Sequence, residues 1–370
     1  MSSQKNILFI VDHLKGGGAE IMSINLAKQL EQNGYRIHFL LLSNENNFSQ
    51  LTSSFKLYQL NNLDNFISGK LLINKELDKE NKTKLDQIIQ EVSPDNIIIT
   101  VWYAFLLLPY INHKSIINWL QADLLPSNNK TLNIFKVLKN QYRDKIYKRK
   151  FIELFSQRRI VTLNKDLQKK YSNLLNIDKE YIQVIPNGLP IPNQNNSNQI
   201  KFEKKWDICF VGRLTPSKQV DHAIIAFSKS NLRGRMVIVG EGKRRKKLEK
   251  LACKLNIQNR IDFIGWVDNS LDYIKQSKLL ILPSLTEGYP LVIGESLINN
   301  TPVIAYNCCE GVESQLYTND MKRGLVALNN IKGLIESIED LIIDPYIIPE
   351  NIHEKYSLDQ MAKKFMKIMQ

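Results

Sequence analysis

Two glutamates with seven residues between them carry the clearest chemical pattern in the chain. They are Glu287 and Glu295 in the stretch LTEGYPLVIGES at 285–296. Gly288 permits a turn between them, and Pro290 suits the first turn of a helix. Glu295 then lies one turn in, with its side chain tilted back toward the helix start. The two carboxylates can face one site whose floor is the positive end of a helix, although two solvated glutamates would read the same way in isolation. VGRLTPSK at 211–218 offers the complementary sign. Gly212 ends an apolar run, Arg213 follows, and Lys218 comes just before the next helical pattern. Two cations at the carboxyl end of a strand can hold a diphosphate and neutralise it as it leaves; a surface Arg and Lys is the plain alternative. GGGAE at 16–20 is a third strand-to-helix junction, where glycines expose backbone N–H groups at a helix start that favours an anion. It lacks the further glycine of a dinucleotide fingerprint and the Gly-Lys-Ser/Thr of a P-loop. VGEGKRRKK at 239–247 is G-x-G without a third glycine, and its lysines suit a solvated helix start.

These residues need elements to position them. ILFIV (7–11), RIHFLLL (36–42), NIIIT (96–100), SIINWL (115–120) and RIVTL (159–163) are apolar without alternation. Such runs predict strands covered on both faces, hence a parallel sheet between helices. The pattern pauses at Ile185–Gly188 and the polar run PNQNNSNQ (192–199), a linker by composition. It restarts with WDICFVG (206–212), MVIVG (236–240), IDFIGWV (261–267), LLILPS (279–284) and PVIAY (302–306). The result is two successive βα domains. SLDQMAKKFMKIM (357–369) predicts an amphipathic helix with Met361, Phe365 and Met369 on one stripe.

Composition narrows the partners. With 370 residues, 43% hydrophobic and 24% charged, the chain has an ordinary globular profile. Four cysteines without C-x-x-C spacing exclude a disulfide scaffold and fit a reducing cytoplasm. The five histidines (13, 38, 113, 222, 353) are scattered and D-x-D is absent, so no metal is expected. The uncharged stretch Asn96–Asn112 contains Pro109 and is shorter than the roughly 20 apolar residues a membrane span needs. The net charge of +13 favours an anionic partner. Residues 130–159 hold ten Lys or Arg against Asp144 and Glu153, a net of +8. There Lys145, Lys148, Arg149 and Lys150 alternate with Tyr147, Phe151 and Phe155. A helix of this kind suits an anionic membrane surface or a lipid phosphate. Nucleic acid is the rival partner, but no recognition module accompanies the segment, and a solvated helix is the plain alternative.

In G-G-G-A-E after the first strand, I-P-N-G at 185–188, G-R-L-x-x-x-K at 212–218, G-E-G at 240–242 and E-x7-E at 287–295, the chain resembles the retaining glycosyltransferases of family four. The match runs through the whole chain in order. It implies an α/β fold of GT-B type, with two Rossmann-like βαβ domains facing across a cleft. Residues 1–190 would form an acceptor-binding domain and 200–350 a nucleotide-sugar-binding domain. A helix at 356–370 would cross back to pack on the first domain.

The resemblance also implies roles. Arg213 and Lys218 would bind the donor diphosphate. Glu295 would hold the ribose hydroxyls, and Glu287 would touch the donor sugar and take part in catalysis. Gly288, Tyr289, Pro290 and Leu291, with Gly212 and Gly240, would line the donor pocket, and Gly17 and Gly18 would approach from the other domain. Trp119–Leu120–Gln121–Ala122–Asp123 stands where many relatives carry W-x-H-x-D. In those relatives the His lies near the donor sugar; here Gln121, an amide that cannot carry a proton at neutral pH, takes its place, and Gln121 and Asp123 are expected on the acceptor side. EGVE at 310–313 matches the family's G-P-x-E turn only loosely.

The expected activity is therefore a metal-independent, retaining hexosyltransferase. Its donor would be a nucleotide sugar, with UDP expected because the family uses it most. Its acceptor would be a glycan or lipid-linked oligosaccharide of the bacterial surface, and it would work in the cytoplasm on the inner membrane face. A non-catalytic sugar-nucleotide or partner-binding module and an NAD-type oxidoreductase are the alternatives. The missing third glycine speaks against the latter.

Overall fold

The computed structural model describes residues 4–14, 17–43, 45–48, 50, 52–61, 63, 66, 76–125, 134–191 and 203–370, with the side chains of 134–136 outside that description. The polar run at 192–199 lies outside the described residues. The chain forms two compact units, Met1–Gly188 with Leu358–Gln370, and Leu189–Ser357.

In the first unit the apolar runs become strands β1 (Asn6–Val11), β2 (Arg36–Leu41), β4 (Asn96–Thr100), β5 (Ile116–Leu120) and β6 (Arg159–Thr162). Two strands not predicted from the sequence, β3 (Lys56–Gln59) and β7 (Ile182–Val184), close the edges. The sheet is parallel, in the order β3-β2-β1-β4-β5-β6-β7. Its helices include α1 (Gly18–Gln32), α2 (Lys79–Val92), α3 (Ile134–Phe155) and α4 (Lys165–Leu175). Sequence decides where two of them start. Asp78 accepts the Asn81 N–H at 2.8 Å, and Asn164 accepts the Leu167 N–H at 2.9 Å, each satisfying a backbone donor that the helix start leaves open.

The second unit repeats the scheme with β8 (Trp206–Val211), β9 (Met236–Val239), β10 (Ile261–Gly265), β11 (Ser277–Leu282), β12 (Val303–Tyr306) and β13 (Leu325–Val326). The order is β10-β9-β8-β11-β12-β13, again parallel. Helices α5 (Val220–Lys229), α6 (Arg245–Lys254), α7 (Leu291–Ile298) and α8 (Ile331–Ile343) belong to it. The unpredicted β13 is again an edge. In both sheets the strands that escaped prediction lie at the margin, where a short segment needs no continuous apolar run.

The last helix, α9 (Leu358–Ile368), belongs to the first unit. Met361, Ala362, Phe365 and Met369 are buried, as the stripe predicts for three of them. The Phe365 ring meets Trp119 edge-on, centroids 5.0 Å apart. Arg159 donates to the Ile368 carbonyl at 2.7 Å, which anchors the helix end beside β6. Burying a phenylalanine is worth about 1.5–3 kcal/mol.

Candidate active site

In the second unit the site is built on the carboxyl ends of β8, β9 and β11. Backbone contacts hold the first two together. Gly212 N–H donates to Val239 O at 3.0 Å, Leu214 N–H to Glu241 O at 2.8 Å, and Gly240 N–H to Gly265 O at 2.8 Å. Gly240 has φ +131°, and a Cβ there would lie 2.0 Å from the Gly212 carbonyl oxygen, so only glycine lets the turns approach this closely. This ladder fixes the Arg213 backbone. The guanidinium is exposed and makes no ion pair with a described residue.

Leu285 N–H donates to Ser217 O at 2.7 Å, which draws the loop after β11 against the turn Pro216–Lys218. Lys218 Nζ thereby meets Glu287 Oε1 at 2.5 Å, with side-chain exposures of 20% and 11%. The cation and the carboxylate singled out in the sequence are thus brought together, as each other's counter-ion. Helix α7 begins at Leu291. Pro290, extended at φ −68° and ψ 114°, stands just outside the helix rather than in its first turn, and no side chain caps this start. Glu295 lies in the second turn of α7. Its carboxylate has no partner among the described residues, and burial pushes its pKa up to about 7.

Tyr289 points into the core. Its hydroxyl is hydrogen-bonded to Tyr356, which donates to Gln315 Oε1 at 3.1 Å, and burial raises the phenol. Gly288 and Pro290 flank it on the same loop, so Tyr289 offers a ligand only its main chain. Two neighbours carried no signal in the sequence. Cys309 Sγ lies 3.9 Å from the Gly288 carbonyl, and Ser284 Oγ is buried without a described partner. The basic start of α6 is structural: Arg245 pairs with Glu241 and Glu249. EGVE forms the short helix Glu310–Glu313.

In the first unit the polar residues gather at the ends of β1, β4 and β5. Asp12 accepts the N–H groups of Tyr103 (3.0 Å) and Ala104 (2.6 Å), and burial pushes its pKa up to about 7. Gly17 precedes α1 and Gly18 begins it. A Cβ on Gly17 would fall 2.0 Å from Glu20 Oε2, because the Glu20 carboxylate fills that space. Gln121 Nε2 donates to Ala19 O at 3.1 Å and to Thr100 Oγ1 at 3.2 Å. Asp123 is engaged within the fold: it pairs with Lys170 at 2.6 Å and accepts from the Tyr171 hydroxyl at 3.0 Å and the Leu125 N–H at 3.1 Å. Those contacts tie its loop to α4.

On α3, Lys148 pairs with Asp144 at 2.8 Å and Lys150 with Glu153 at 2.5 Å, while Lys145 and Arg149 are exposed. Leu138 (58% exposed) and Tyr142 (70%) share this outer face, one helical turn apart. Among the described residues no helix is long and apolar enough to cross a membrane.

Residues 192–358 match the family model described as glycosyl transferases group 1. The chain is 25% identical over 374 residues to an uncharacterized glycosyltransferase of Haemophilus influenzae, covering 98% of each chain. It is 28% identical over 234 residues to the Escherichia coli UDP-Gal:alpha-D-GlcNAc-diphosphoundecaprenol alpha-1,3-galactosyltransferase, covering 58% of this chain and 59% of that protein. Anabaena HepE, solved in complex with UDP-glucose, shares the fold at a TM-score of 0.74 and 17% identity over 98% of each chain. The architecture is GT-B, and the protein is a glycosyltransferase.

Proposed function

We propose that the chain moves a hexose from a UDP-linked sugar to a hydroxyl of a glycan or lipid-linked oligosaccharide, with retention at the anomeric carbon and without a metal ion. The observation that carries this reading is Glu295. It is a half-buried carboxylate without a partner among the described residues, on a helix whose uncapped start follows directly on the Lys218–Glu287 pair. A nucleoside diphosphate supplies what each group lacks. Its ribose hydroxyls donate to Glu295, and its diphosphate takes the Lys218 ammonium and the Arg213 guanidinium. Glu287, released from Lys218, accepts from the sugar hydroxyls.

In the transfer the anomeric C–O bond breaks and its electron pair goes to the diphosphate, where Lys218, Arg213 and the helix start stabilise the growing charge. The acceptor oxygen bonds to the same face, and its proton passes to the departing phosphate oxygen. The UDP-glucose bound to HepE and the lipid-diphosphate acceptor in the name of the E. coli relative support the donor and acceptor classes. The first unit would take the acceptor and the second the donor.

We further propose that the outer face of α3 docks the cytoplasmic protein on an anionic membrane through Lys145, Lys148, Arg149 and Lys150. Thermal-shift measurements with a panel of nucleotide sugars, followed by donor hydrolysis, test the activity. Stabilisation by UDP and one UDP-sugar is expected, and the absence of both overturns the reading. Docking predicts binding to phosphatidylglycerol vesicles that the four charge-neutralised positions abolish.

A further inference from the structure

One side chain, distant in sequence, touches both ends of the segment that carries the two glutamates. Tyr356 is buried at the end of the second unit. Its hydroxyl donates to Gln315 Oε1 at 3.1 Å and therefore accepts from the Tyr289 hydroxyl, two residues beyond Glu287. Gln315 is buried too, and its Nε2 donates to the Gly311 carbonyl at 2.8 Å, which fixes the amide. The Tyr356 ring lies against α7. A Cβ on Gly294, the residue before Glu295, would fall 2.7 Å from Tyr356 Cε1 and 2.8 Å from Leu189 Cδ1. The Tyr356 backbone is anchored in turn, because its carbonyl accepts from the Leu189 N–H at 2.7 Å.

Between Glu287 and Glu295 the chain has left the sheet ladder, and no side chain caps α7. Packing must therefore set where the segment lies. A bare Gly294 against a rigid ring fixes how closely α7 can approach, since a close-packed interior has no room there even for a methyl. The hydroxyl fixes the other end. Without it the Tyr289 hydroxyl and Gln315 Oε1 would be buried and unmet, and the segment would have to shift to find partners. We infer that Tyr356 is the positioning residue of the donor segment: through Tyr289 and Gly294 it holds the Glu287 and Glu295 carboxylates in register without touching the nucleotide. This inference rests on the donor reading of those glutamates and adds the residue that preorganises them.

The test compares the full chain with Tyr356→Phe, with Tyr356→Phe combined with Tyr289→Phe, and with Gly294→Ala. Hydrogen exchange read by mass spectrometry, without ligand, shows whether the segment is held. Calorimetric titration with UDP, at a temperature where circular dichroism shows each variant folded, shows whether holding it matters for binding. Tyr356→Phe should speed exchange at 289–297 roughly tenfold while β8 and β11 keep wild-type protection. It should weaken UDP binding roughly tenfold. In UDP-glucose hydrolysis it should raise KM more than it lowers kcat. Adding Tyr289→Phe removes the stranded hydroxyl and should restore part of the affinity. Gly294→Ala, which presses α7 away from the same ring, should also weaken UDP. A purely structural role would lower the melting temperature and leave the UDP affinity of the folded variants at the wild-type value, and that result overturns the inference. So does wild-type exchange across the segment in Tyr356→Phe, or a loss of protection spread evenly over the second unit. Failure of wild type to bind UDP counts against the donor reading, and the exchange comparison, which contains no nucleotide, still decides whether Tyr356 holds the segment.

Discussion

The carboxyl ends of the two sheets are built from the same βα grammar and present opposite chemistry. The second unit offers Lys218 and Arg213 together with the uncapped start of α7, so it can neutralise an anion. The first offers Asp12, whose two oxygens are taken by backbone N–H groups, and Glu20 and Gln121, which each keep one buried oxygen without a described donor, so it lacks a cation to neutralise an anion. Position in a fold therefore does not set what a site binds. The sign and saturation of the side chains at the strand ends do.

The sharpest way to break the contrast is at the glycine ladder. Gly240→Val drives a branched side chain into the Gly212 carbonyl from a positive φ. It is expected to destabilise the second unit by at least roughly 3 kcal/mol, read as an earlier urea transition in Trp206 and Trp266 fluorescence with loss of UDP binding. Lys218→Ala comes next. It removes a cation from the leaving group and leaves Glu287 without its counter-ion. Transfer should fall about 10²–10³-fold, while far-UV circular dichroism remains that of wild type. An unchanged rate would remove Lys218 from the donor site.

A smaller effect separates the acids. Glu295 has a pKa of about 7 in place of its ordinary 4.5, so it is mostly protonated near pH 6 and mostly ionised near pH 8. Ribose hydroxyls bind the ionised form better. Affinity for UDP-glucose, measured by calorimetry, is expected to rise roughly tenfold over that interval, and Glu295→Gln should flatten the dependence. The same upward shift means that Glu295 adds stability at low pH, which is lost as pH rises toward about 7 in the absence of ligand. The least disruptive change, Gly17→Ala, presses on the Glu20 carboxylate. It should reduce transfer several-fold, while far-UV circular dichroism remains that of wild type.

Much of this was legible in the chain. Ile97–Ile99 and Met236–Val239 announce central strands because both faces are covered, whereas Lys56–Gln59 and Leu325–Val326 lie at an edge and carry no such run. Glu287, Glu295 and Lys218 stood out because a turn motif separates them from ordinary surface charge. The neutral pairing of Lys218 with Glu287 did not, since it depends on a backbone contact between Ser217 and Leu285. The glycines at 16–18 carry a turn signal, while Glu20 beside them carries none of its own. Only packing shows it turned inward under Gly17, and the one available signal was Asp12–His13 ending an otherwise apolar strand.

The return of α9 to the first unit has a bearing on how the protein comes into being. Translation delivers the second unit in full before it delivers the segment that covers Trp119. The nascent first unit therefore waits with an indole face bare while some 170 later residues emerge. A ribosome stall anywhere in that interval would leave an incomplete second lobe tethered to an unfinished, adhesive first one.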